Sequence, residues 1–157
     1  MKLKAWPIFI ATAALLMSCG RNEIPNQPEP TEVRTQTGSI VIDVSSTEAF
    51  EKTMAEINRE IETLPTEERM RYAEAFTRFA IDALRAYPNK QELIDFNGPP
   101  PKEFMVKLNF KAMQPFHGKT VFEFLKNAEI RAQGRPSFLE DMDQFFQEME
   151  ALSKTSK

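Results

Sequence analysis

The amino-acid sequence predicts an all-α domain, a small bundle of about five helices placed behind a signal peptide and a flexible linker. Three observations carry that prediction. Apolar residues recur at helical steps of three and four along most of residues 45–152. Ser/Thr-x-x-Glu signatures stand ahead of these stripes, and prolines or glycines fall between them.

The first helix is the clearest element. Phe50, Met54, Ile57, Ile61 and Leu64 form one apolar stripe, with Glu51, Lys52, Glu56, Arg59 and Glu60 on the opposite face. Ser45 and Glu48 fit a capping box ahead of it, with Ser46 as the alternative cap. Pro65 interrupts the pattern. Thr66 then offers a new cap, followed by Glu67 and Glu68 in favourable positions against the helix dipole. The second helix runs to about Tyr87 with Ala73, Phe76, Phe79, Ala80, Ala83 and Leu84 inward, and Pro88 stops it. So short a connection makes these two helices antiparallel neighbours.

Asn-Gly-Pro-Pro-Pro at 97–101 breaks the chain again. Residues 103–113 are open to two readings. Phe104, Val106, Leu108 and Phe110 alternate as in a strand, while Phe104, Leu108 and Ala112 fit a helix. The helical surroundings favour the helix. Thr120 and Glu123 form a further capping box before Val121, Phe124, Leu125 and Ala128, and Gly134 can close that helix in the left-handed conformation. Ser137 and Glu140 repeat the signature ahead of a last amphipathic helix that carries Phe138, Met142, Phe145, Phe146, Met149 and Leu152. Residues 153–157 read as a polar tail.

Before the domain, residues 39–44 (Ser-Ile-Val-Ile-Asp-Val) are β-prone but short and have no evident partner strand. They are expected as an extended lead-in packed on the helices. The functional alternative is an exposed edge that recruits a strand from elsewhere. Residues 21–38 contain Pro25, Pro28 and Pro30 among Asn, Gln, Glu and Thr, and hardly a large apolar residue. Such a segment cannot bury enough surface to offset its ordering entropy. Fully stretched it spans roughly 60 Å, at about 3.4 Å per residue.

The N-terminus has the three-part plan of a secretory signal. Lys2 and Lys4 open it, and residues 5–17 form an uncharged apolar run of 13 residues. A spanning helix needs roughly 20. Leu16-Met17-Ser18-Cys19 then resembles the bacterial lipobox. The resemblance implies diacylglyceryl transfer to the Cys19 thiol, cleavage between Ser18 and Cys19, and acylation of the new amino group. An ordinary signal peptide that contains a cysteine is the plain alternative. The small-x-small site at Ala11-Thr12-Ala13, however, lies inside the apolar run rather than after it. Two acyl chains hold a protein to a membrane where one alone binds marginally. Gly20, standing where an Asp would resemble an inner-membrane retention signal, favours the outer membrane if the host has two.

Cleavage leaves 139 of the 157 residues, enough for one domain and a linker. Without Lys2 and Lys4 there are 18 basic residues against 23 acidic ones, a net charge of −5. That balance argues against nucleic-acid binding, which calls for a basic stripe. Cys19 is the only cysteine, so the domain is expected to be held by packing alone; the thirteen Phe and eight Met of the chain, all but three of them after residue 18, supply the apolar bulk.

Two segments, Ile42-Asp43-Val44-Ser45-Ser46-Thr47-Glu48-Ala49-Phe50 and His117-Gly118-Lys119-Thr120 with the following Glu129-Ile130-Arg131-Ala132, resemble a family of small bacterial lipoproteins of unknown function. The likeness covers residues 40–132. It implies a helical domain close behind a lipidated cysteine and no activity or binding residue. The proline-bearing linker and the helix after Gly134 depart from that pattern.

No catalytic residue, metal or cofactor is assigned. Gly118-Lys119-Thr120 lacks the earlier glycine of a phosphate loop, since Met113 holds that position; a helix cap is the better reading. His117 is the only histidine and would need acids brought from elsewhere. Asp141, Asp143 and Glu148 are candidates that helical spacing puts mostly on a solvated face. Cys19 is consumed by lipid, and Ser45, Ser46 and Ser137 read as caps. Glu67 and Glu68 diverge around their helix. The stripe of Phe138, Met142, Phe145, Phe146 and Met149 is expected in the core, its alternative being a partner surface. Together these features predict a lipid-anchored envelope lipoprotein, a protein-interaction or structural module rather than an enzyme. The alternative is a carrier of an apolar ligand in a Phe/Met-lined cavity. An envelope protein is the expected partner.

Overall fold

The computed structural model describes residues 37–96 and 99–155. The expected signal peptide, the cleavage site at Ser18 and Cys19, and linker residues up to 36 lie outside the described residues. The domain is all-α. Its helices are α1 (Thr47–Glu62), α2 (Thr66–Ala86), α3 (Lys90–Asp95), α4 (Lys102–Met113), α5 (Val121–Ala132) and α6 (Phe138–Thr155), with a 3-10 turn at Gln114–Phe116.

The caps show how local chemistry sets these boundaries, and two differ from expectation. Ser46, not Ser45, caps α1, its Oγ accepting from the Ala49 N–H at 3.1 Å. Ser45 instead donates its N–H to Asp43 Oδ1 at 2.8 Å, so Glu48 is one residue too early for a box. Thr66 is already the first helical residue of α2, behind Pro65, and its hydroxyl accepts from Arg69 Nη2 at 3.2 Å rather than capping. The box on α5 is as expected. Thr120 Oγ1 accepts from the Glu123 N–H, and Glu123 Oε2 accepts from the Thr120 N–H at 2.7 Å. Ser137 and Glu140 exchange the same pair of bonds before α6. Gly134 has φ +76°, the left-handed turn after α5.

Helix α3 has no counterpart among the expected elements. Its six residues are too few for a visible stripe, and Asn89 caps it by accepting from the Glu92 N–H at 3.3 Å. Residues 103–113, open from sequence, are helix. Sandwiched by neighbours, Phe104, Met105, Val106, Leu108 and Phe110 are all half-buried, which erases a one-sided stripe. Thr37 and Gly38, expected in the linker, are buried in the domain, and α6 continues through most of the expected tail.

The lead-in finds a partner that the sequence conceals. The Ile42 N–H donates to Lys119 O at 2.8 Å, the Gly118 N–H to Ile42 O at 2.9 Å, and the Val121 N–H to Ile40 O at 2.9 Å. An isolated antiparallel bridge pairs Val41 with Thr120. The partner is a tight loop before a helix, with Gly118 at φ +75°, so no β-pattern announces it.

Two apolar cores result. The first joins Ile42, Val44, Phe50, Ile57, Ile61, Leu64, Tyr72, Met113, Phe116, Val121, Phe124 and Leu125. Phe124 is its aromatic hub, stacked on Phe76 at 4.6 Å and edge-on to Phe79 and Phe116. The second joins Ile81, Leu84, Leu93 and Phe145, with Tyr87, Phe96, Phe104, Met105, Leu108, Met142, Phe146 and Met149 around them. Helices α2 and α4 pass through both.

Loss of the α5 box tests how far the lead-in depends on that helix start. Thr120→Ala is expected to lower the unfolding free energy by about 1 kcal/mol, and Thr120→Ser by much less, in urea denaturation followed by circular dichroism. Equal losses from the two variants would show that the hydroxyl cap is not what holds this junction.

Candidate functional site

Three places deserve description on chemical grounds: the loop around His117, the α6 stripe, and a charged cluster between α2 and α6.

At the loop, His117 Nδ1 accepts the Val44 N–H at 3.0 Å and lies 3.7 Å from Asp43 Oδ1. The ring is half exposed, and among the described residues Asp43 is the acid beside it. Hydrogen bonding to the Ser45 side chain and N–H, with a smaller contribution from His117, holds the Asp43 carboxyl below its usual range against slight desolvation. Gln114 Nε2 donates to Val44 O at 3.2 Å. His117 therefore helps to fasten the lead-in. Lys119 directs its ammonium over the Phe116 ring, 5.5 Å from the centroid, while its backbone serves the bridge. Gly118-Lys119-Thr120 is thus a turn, a bridge and a cap in succession. Met113, where a phosphate loop needs glycine, is buried in the first core. Among the described residues no group of three or more His, Cys, Asp or Glu side chains could hold a metal ion.

Most of the α6 stripe faces inward. Phe145 is buried, Met142, Phe146 and Met149 pack on the second core, and Phe138 lies beneath the Arg78 guanidinium at 5.6 Å. The large apolar residue that α6 leaves in solvent is Leu139.

The charged cluster has no counterpart among the sequence expectations. Asp141, expected with Asp143 and Glu148 on a largely solvated face, is 2% exposed. Its Oδ2 accepts from Arg78 Nη1 at 2.7 Å and Arg135 Nη2 at 2.6 Å, and its Oδ1 from Arg85 Nη1 at 2.7 Å. Each arginine has a second acid. Arg78 bonds Glu74 at 3.0 Å, Arg85 bonds Glu148 at 3.0 Å, and Arg135 grips Asp82 through both oxygens at 2.9 and 3.0 Å. Arg78 Nη2 also reaches Pro136 O, tying down the turn before α6. Three cations thus face four carboxylates, which leaves the cluster at −1. The available signal was Glu74, Arg78, Asp82 and Arg85 at steps of four, four and three on α2, a charged stripe running beside an apolar one. On α6, Asp141 sits between Phe138 and Phe145 at steps of three and four, hence on the inner face.

Desolvation alone would push the Asp141 carboxyl up. The hydrogen bond from Arg85 and the charges of Arg135, Arg85 and Arg78 outweigh it, so the carboxyl titrates below its usual range. The arrangement holds an anion in place without presenting it to a substrate, because every oxygen is already engaged.

Two hollows bear on the carrier alternative. A cavity lined by residues including Arg78, Phe79, Phe124, Asn127 and Arg135 measures about 20 Å3, the scale of one water molecule rather than an apolar cargo. A hollow of about 440 Å3 beside Ser39, Ile40, Val41, Glu56 and Glu60 opens to solvent and carries two carboxylates. Neither is a Phe/Met-lined chamber.

Comparisons with family models, with curated proteins and with solved structures find no match. The two segments that carry the lipoprotein resemblance do meet in space, since residues 42 and 44 bond to 117–119.

The Asp141 cluster yields a test with a definite sign. A carboxyl with a lowered folded pKa stabilises fully above its unfolded value of about 3.9 and loses that contribution as pH falls through the folded value. Asp141→Asn is therefore expected to cost about 3–5 kcal/mol at pH 7, because three guanidiniums lose their shared anion. It should also remove part of the loss of stability expected below about pH 4. Urea titrations across pH measure both effects, and a cost under about 1 kcal/mol would demote the cluster to a surface ion pair.

Proposed function

We propose that the protein is a lipid-anchored envelope lipoprotein whose helical domain serves as a protein-interaction or structural module. The observation that carries this reading is the order of features at the N-terminus: Lys2 and Lys4, an uncharged apolar run, then Leu16-Met17-Ser18-Cys19 with the only cysteine of the chain at its end. The domain is consistent with it. No helix of the described residues is long and apolar enough to cross a membrane. The surplus of acid makes direct adsorption to anionic headgroups unfavourable. Attachment through lipid on Cys19 accounts for membrane residence without asking anything of the domain surface.

The interaction reading rests on what the domain displays. Its histidine is used to hold backbone, its buried acid is saturated by arginines, and its apolar stripes close cores. What remains in solvent includes Val41, Met70, Phe122, Ile130 and Leu139, five large apolar side chains on an otherwise charged exterior. The resemblance to small lipoproteins points in the same direction without adding a site.

Anchoring is tested by Cys19→Ala. In carbonate-washed membranes the wild-type chain is expected to stay in the pellet and to incorporate a fatty-acid label. The variant should lose the label and the N-terminal cut, and should behave differently on fractionation. A variant that kept both label and cleavage at residue 18 would overturn the lipoprotein assignment.

A further inference from the structure

Among the described residues, the lead-in at 40–43 engages one side of its backbone and makes no backbone bond on the other. Ile40 and Ile42 direct their backbone groups to 118–121 through three hydrogen bonds. In extended chain the intervening residues point theirs the opposite way. The N–H and C=O of Val41 and Asp43 accordingly make no hydrogen bond among the described residues. The Val41 side chain is 54% exposed. Beside this segment lies the open hollow of about 440 Å3, walled by Ser39, Ile40 and Val41 and by Glu56 and Glu60, one turn apart on α1. Proteins usually blunt such an edge with lysine, proline or a cover; here it carries apolar Val41 and borders two acids, the exposed Glu56 and the half-buried Glu60, which lies 3.6 Å from Arg59 Nε.

We infer that this edge accepts an extended segment of a partner protein in which β-branched residues alternate with Lys or Arg. Added as a strand, such a segment satisfies the outward groups of Val41 and Asp43. Its apolar side chains lie along Val41, and its cations enter the hollow against Glu56 and Glu60. A second copy of this chain is a poorer occupant. Its own edge, Ser-Ile-Val-Ile-Asp-Val, brings no cation and would set Asp43, Glu56 and Glu60 of two molecules close together. The inference deepens the interaction reading of the domain and rests on it.

The test uses full-length, isotope-labelled protein in detergent micelles and a blocked alternating Lys-Val heptapeptide, with its Glu-Val counterpart and a backbone N-methylated Lys-Val form as controls. The Lys-Val peptide is expected to shift amides concentrated at residues 39–43 and to slow hydrogen exchange at Val41 and Asp43. Both controls should fail. Glu56→Lys, at an exposed position of α1, should weaken binding by about tenfold at low salt with an unchanged melting temperature, and Glu60→Gln, which keeps the shape of a half-buried side chain beside Arg59, should weaken it less. Shifts scattered over the surface, binding that tolerates N-methylation or charge reversal, self-association at the same edge, or no binding would each overturn the inference. A photo-crosslinker placed at position 41 and, separately, at 139 on α6 separates the two levels. A partner captured from solubilised envelope only at 139 removes the edge and leaves the interaction module standing; capture at neither position removes both.

Discussion

The fold depends on one carboxylate that is buried only because it is fully surrounded by cations. Asp141 lies in the interior against three guanidiniums, and these come from two different stretches of chain: Arg78 and Arg85 on α2, and Arg135 on the turn after α5. Removing an ion from water is costly, and repayment requires that its hydrogen-bonding capacity be filled. Here it is filled, with Asp82, Glu74 and Glu148 balancing the arginines in turn. The consequence is geometric. Helix α6, which could otherwise slide along an apolar groove lined by adaptable Met and Phe, is held at one register against α2.

That register in turn fixes the relation of the two cores. Helix α2 runs from Phe76 and Phe79, packed around Phe124, to Ile81 and Leu84, packed around Phe145. Helix α4 makes the same passage from Phe110 and Met113 to Phe104 and Leu108. The ion cluster stands where α2 changes from one core to the other. At the far end of α2, Lys90 donates to Leu84 O at 2.8 Å and also to Arg85 O, satisfying carbonyls that a helix terminus leaves open. Desolvation there lowers its pKa from the ordinary lysine value, against the attraction of Glu148.

Much of this was legible in the residues, for identifiable reasons. The stripe of Phe50, Ile57, Ile61 and Leu64 and the boxes at Thr120 and Ser137 are local signals, complete within one or two turns. Local signals survive translation into structure. The cap of α1 shifted by one residue because Asp43 competes for Ser45, a contest between neighbours of similar chemistry. Helix α3 was too short to display a period. What the sequence hid was non-local: the bond of Ile42 to Lys119 and the meeting of Arg78 with Asp141, 63 residues apart. The candidate site shared that fate. Position 141 looked like one acid among several until its arginines were brought to it, whereas His117 and Lys119 lost their chemical appeal once their bonds were seen.

The bridge between residues 40–42 and 118–121 also determines how the domain bears a load. A pull arriving from the N-terminal side meets the backbone at a segment whose hydrogen bonds run across the line of tension and whose side chains, Ile42 and Val44, are sunk in the first core. Such bonds share the strain and yield together rather than one after another. At residues 40–44 the chain is therefore gripped by backbone and side chains at once, so that force entering there is borne by the first core rather than by a fraying end.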